Sequence, residues 1–66
     1  MIRIEFGKDQ WHQINNMVQW CRDNLGDSGW LYGNPDVMWC VESAFGNTMF
    51  TFRQEQDAIL FSLKWK

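Results

Sequence analysis

The stretch "RQEQDAILFSLKWK" (residues 53–66) decides the fold. At a spacing of two, Ile59, Phe61, Leu63 and Trp65 alternate as a strand would. At helical spacing, Ala58, Phe61 and Trp65 share a face, and Glu55 and Asp57 occupy the first turn, where a helix dipole favours carboxylates. The unbroken helix formers of "RQEQDA" favour the second reading, so 54–65 is predicted to be a helix. A strand here would extend a sheet; a helix covers one.

Upstream, "TMFTF" (48–52) and "VMWCVES" (37–43) read as two strands joined by a hairpin-like turn at "AFGN" (44–47). "MIRIEF" (1–6) alternates Ile2, Ile4 and Phe6 with Arg3 and Glu5, the pattern of a strand with one buried face. "GK" breaks it, and Asp9 is placed to cap the segment that follows. Between Gln10 and Leu25 the apolar period becomes helical: Trp11, Ile14, Val18, Cys21 and Leu25 draw one stripe, widened by Met17 and Trp20. Gly26 stands where a left-handed residue would end this helix. Residues 26–36, "GDSGWLYGNPD", form a turn-rich connection with room for a short fourth edge strand at 30–32.

The expected fold is therefore α+β: a single domain over 1–66, a two-layer β-α-β-β-α sandwich with a three-stranded sheet and both helices on one face. A chain of 66 residues buries a thin core. Five Trp, five Phe, one Tyr and four Met compensate, because one large aromatic removes roughly 150–250 Å² from water.

Composition narrows the function. Eight acidic and six basic residues give a net charge of −2, with no basic cluster. That counts against duplex nucleic acid and anionic membranes. No apolar run approaches the roughly 20 residues that span a bilayer, and residues 1–6 do not read as a signal peptide. The expectation is a soluble, cytoplasmic protein.

The dipeptide Trp-Cys occurs twice, at 20–21 and 39–40. On a helix its two side chains lie about 100° apart, and on a strand they point to opposite faces, so the repeats share letters without sharing a shape. Two cysteines and the single His12 are too few for a zinc site. Cys21 falls near a helix C-terminus, where the dipole disfavours a thiolate. Both cysteines read as packing residues, with a Cys21–Cys40 disulfide or thiol switch the fainter option. His12 reads as a solvent-exposed residue of the first turn. "GDSG" (26–29) has no triad partner in place, the carboxylates are scattered, and no glycine pattern cradles a phosphate. No catalytic residue, cofactor or metal is expected.

Aromatic surplus remains. Helices on one face leave the other sheet face open, so Met38 or Trp39 with Met49 or Phe50, according to register, and Trp30 and Tyr32 in the loop form the candidate interaction surface. Contiguous exposed apolar residues mark interaction sites, and these residue types are enriched there. The leading expectation is a non-enzymatic protein-interaction module that self-associates as a homodimer. The alternative is single-stranded nucleic acid stacking on sheet aromatics, with Arg3, Arg53, Lys64 and Lys66 gathered nearby.

Three segments together carry a resemblance: Trp11, Trp20, Cys21 and Gly26 as W-x8-W-C-x4-G, the central "MWCVES", and the ending "FTFRQEQDAILFSLKW", with Phe50, Phe52, Asp57, Ala58, Phe61 and Trp65. In these the chain resembles small proteins encoded by tailed phages of marine bacteria and cyanobacteria. The resemblance implies a context alone: an accessory protein that binds and modulates a host protein in the host cytoplasm. It assigns no residue a role.

Overall fold

The computed structural model describes residues 1–31 and 33–65. Its elements run β1 (Ile2–Phe6), a 3-10 helical stretch (Lys8–Gln13), α1 (Ile14–Leu25), β2 (Trp39–Ala44), β3 (Asn47–Phe52) and α2 (Glu55–Trp65). The three strands form one antiparallel sheet in the order β1-β3-β2, so the last strand in sequence is the central one. The fold class is the expected α+β, and residues 55–65 are a helix.

Register follows from the hairpin. Phe45 and Gly46 both have positive φ, +54° and +83°, the pairing required of a two-residue type I′ turn. Ala44 then opposes Asn47, and Val41 and Trp39 oppose Phe50 and Phe52. On the other side of β3, Ile4 opposes Phe50 and Ile2 opposes Phe52. Opposed residues share a face. Ile2, Ile4, Phe6, Trp39, Val41, Phe50 and Phe52 therefore look one way, toward the helices. Arg3, Glu5, Cys40, Glu42, Met49 and Thr51 look the other way.

On the helix side, Phe61 of α2 is the centre of the core. Its ring lies 4.8 Å from that of Phe50, 5.0 Å from Phe52, and 5.8 Å from both Phe6 and Trp20, centroid to centroid. Met17 and Cys21 of α1 and Ala58 of α2 complete it. Burial pushes the Cys21 thiol up to about 12, because a thiolate in an apolar setting loses its solvation. A raised folded-state value means the folded protein keeps its proton where the unfolded chain, near the ordinary 9.0, releases it. Stability is thus intact below pH 9 and falls between pH 9 and 12, at up to about 1.4 kcal/mol per pH unit. Cys40 is half-buried on the opposite sheet face, and both thiols are free. The sheet stands between the two cysteines, which removes the geometric basis for joining them. Ellman titration at pH 8 should find Cys40 reacting in the native protein and Cys21 only in denaturant; a rapid native reaction of both would contradict this packing.

Four local expectations are corrected. Trp11 does not belong to the core stripe: it is 73% exposed. Residues 8–13 wind as a 3-10 helix with three residues per turn, which shifts Trp11 out of line with the stripe that α1 sets. Asp9 lies inside the first turn; Gly7 occupies the cap position, with no side-chain cap hydrogen bond. Trp30 and Leu31 are not in a strand, and Tyr32 lies outside the described residues. β2 begins at Trp39, not at residue 37. Gly26, with φ +91°, does end α1, its N–H donating to Arg22 O at 3.2 Å.

Phe45 is strained as well as exposed. A side chain at φ +54° in the left-handed region costs roughly 1 kcal/mol, and the ring, fully solvent-exposed, recovers none of it by packing. Phe45→Asn, which creates the Asn-Gly pair favoured in this turn, is expected to stabilise the protein by about 0.5–1 kcal/mol in urea denaturation.

Candidate protein-interaction surface

The open sheet face is only partly open. The connection from α1 to β2 folds back over it, and one side chain holds that connection in place. Arg53, immediately after β3, donates from Nε to Val37 O (2.8 Å) and from Nη2 to Leu31 O (2.6 Å) and Asn34 O (2.9 Å). Its own N–H donates to Met38 O at 2.9 Å. A planar guanidinium with a fixed fork of donors suits a row of main-chain carbonyls better than a single ammonium could. Asn34 adds a bond from Nδ2 to Trp30 O (2.7 Å), and Val37 N–H donates to Asn34 O (3.1 Å). At the start of the connection, Trp39 Nε1 donates to Gly26 O at 2.7 Å. The indole of the core thereby anchors the point where α1 ends.

Held in this way, Leu31 is buried and Trp30 is 64% exposed. Together with Arg3, Cys40, Glu42 and Thr51 they line a concavity of about 450 Å³ on the open face. The surface is apolar at Trp30 and charged around it: Arg3 rests against Met49 Sδ at 3.9 Å, and Glu5 accepts from Asn47 Nδ2 at 2.8 Å.

The candidate residues separate accordingly. Trp30 is exposed, and Met49 is half-buried on the open face. Trp39 and Phe50, expected as alternatives on that face, are both fully buried, because the hairpin register turns them toward the helices along with Phe52. Met38 precedes β2, half-buried against the core. Tyr32 lies outside the described residues. The sequence reading missed other exposed apolar side chains: Trp11, Phe45, and Ile59, Leu60 and Leu63 on α2. For α2 the signal was present, since Ile59 and Leu63 fall four residues apart and off the Ala58-Phe61-Trp65 stripe.

Among the described residues, no three His, Cys, Asp or Glu side chains gather so as to hold a metal ion. No described helix is long and apolar enough to cross a membrane. No protein-family model, curated protein or solved structure matches this chain.

Proposed function

We propose that this chain is a non-enzymatic protein-interaction module whose exposed indole, Trp30, inserts into a protein partner. The observation that carries this reading is the Arg53 clamp. Three carbonyls bound by a single guanidinium, those of Leu31, Asn34 and Val37, fix the backbone that follows an indole that remains 64% exposed, and Trp39 Nε1 on Gly26 O anchors the backbone before it. Tryptophan is among the residues most enriched at interface hot spots, and a contact ordered in advance loses less entropy on binding. In the phage context that the sequence resembles, the partner is a host protein. The alternative of single-stranded nucleic acid is weakened: Trp39 and Phe50, needed as stacking platforms, are in the core. Glu5 and Glu42 also share the open face with Arg3.

The test compares wild type with Trp30→Ala as immobilised baits in lysate of a susceptible host, after circular dichroism has shown equal folding. A bound protein that wild type retains and Trp30→Ala loses is the expected result; equal retention by both baits would refute the role of Trp30. In parallel, tryptophan fluorescence quenched by an oligonucleotide and restored by salt would transfer the assignment to nucleic acid.

A further inference from the structure

β1 is an edge strand: β3 lies on one side of it, and no strand among the described residues lies on the other. Proteins guard such edges with charge, but here the charges form a pattern. "IRIEF" is symmetric in kind about Ile4, running apolar, basic, apolar, acidic, apolar. Arg3 and Glu5 both project to the open face, and among the described residues the guanidinium of Arg3 has only the Met49 sulfur as a side-chain partner.

We propose that a second copy of this chain pairs with the edge of β1, antiparallel and centred on Ile4, to build a continuous six-stranded sheet. In that register each Arg3 stands opposite the Glu5 of the other copy, twice by symmetry. Centring on Arg3 or on Glu5 opposes like charges, and a one-residue slip sets charged residues against apolar ones. Parallel in-register pairing stacks Arg3 on Arg3. Opposite charges directly across a sheet attract and like charges repel, so one register alone is favoured.

The helix side fits the same axis. A groove of about 370 Å³ runs between β1 and α2, lined by Ile2, Ile4, Ala58, Ile59 and Leu63 among others. Ile59 is 51% exposed and Leu63 80%. A two-fold axis at Ile4 brings the α2 of the second copy to this groove, so each copy's Ile59 and Leu63 cover the other's in an isologous contact. The inference rests on reading the chain as an interaction module, and it names one partner and one surface, the edge of β1 with α2, which meets the concavity beside Trp30 at Arg3.

Sedimentation equilibrium on charge-reversed variants tests it. Wild type should dimerise at high micromolar concentration. Arg3→Glu and Glu5→Arg should each weaken the dimer by about tenfold or more, because each opposes like charges twice. An equimolar mixture of the two single variants should recover wild-type association as a heterodimer, and Arg3→Glu combined with Glu5→Arg should recover it as a homodimer. Both substitutions are at exposed positions and leave the core intact. A monomeric wild type, single variants that associate like wild type, or a mixture that stays monomeric would each overturn the proposal. None of these outcomes affects the Trp30→Ala comparison, so failure of the dimer and failure of the interaction reading are distinguishable.

Discussion

Replacing Phe61 with alanine is expected to cost about 4 kcal/mol, in the range for emptying a buried aromatic site. Four rings within 5.8 Å lose their common neighbour at once, and they come from β1, α1 and β3, so no single element can move in to fill the space. A chain of this size holds roughly 3–10 kcal/mol in total. The variant should therefore be largely unfolded at 37 °C, with its near-ultraviolet dichroism lost. Leu60→Ala, one residue away on the exposed side of α2, should cost no more than about 0.5 kcal/mol. Equal effects from the two would mean that α2 does not dock as described.

Arg53→Ala should cost about 2–3 kcal/mol, since hydrogen bonds from a charged donor carry more than neutral ones and three carbonyls lose theirs together. The loss stays below the sum of three bonds because the freed loop carbonyls regain water. Hydrogen exchange should separate this variant from a general destabilisation: protection falls in residues 31–38 while β1 and β3 keep theirs. Arg53→Lys should fall between, one ammonium being unable to span acceptors on residues 31, 34 and 37. A variant that unfolds at lower urea with loop protection unchanged would contradict the clamp.

The elements were legible where periodicity was long or the breakers were strong. The alternation of β1, the 3-4 stripe of α1 and the helix formers opening α2 each declared their type. What stayed hidden depended on geometry that periodicity does not encode. The open face could not be assigned without the hairpin register, and that register hangs on Phe45 adopting a positive φ, which phenylalanine rarely does. Had "FG" been read as a type I′ pair, Trp39 and Phe50 would have fallen beside Ile2 and Ile4 and left the candidate surface. Trp11 kept perfect α-helical spacing, yet a 3-10 start placed it outside. Arg53 carried no signal at all, because its partners are main-chain carbonyls, and every residue type offers one.

The strand order also sets a timetable. Within the sheet β1 and β2 each pair with β3 and not with each other, so a chain emerging from the ribosome has both outer strands in hand and no strand to join them until residues 47–52 follow. Arg53 and Phe61, which fasten the loop and fill the interior, are made later still. The nascent chain gains little from folding before residue 47 and much from residues 47–65, so assembly of this domain is a late, concerted closure around β3.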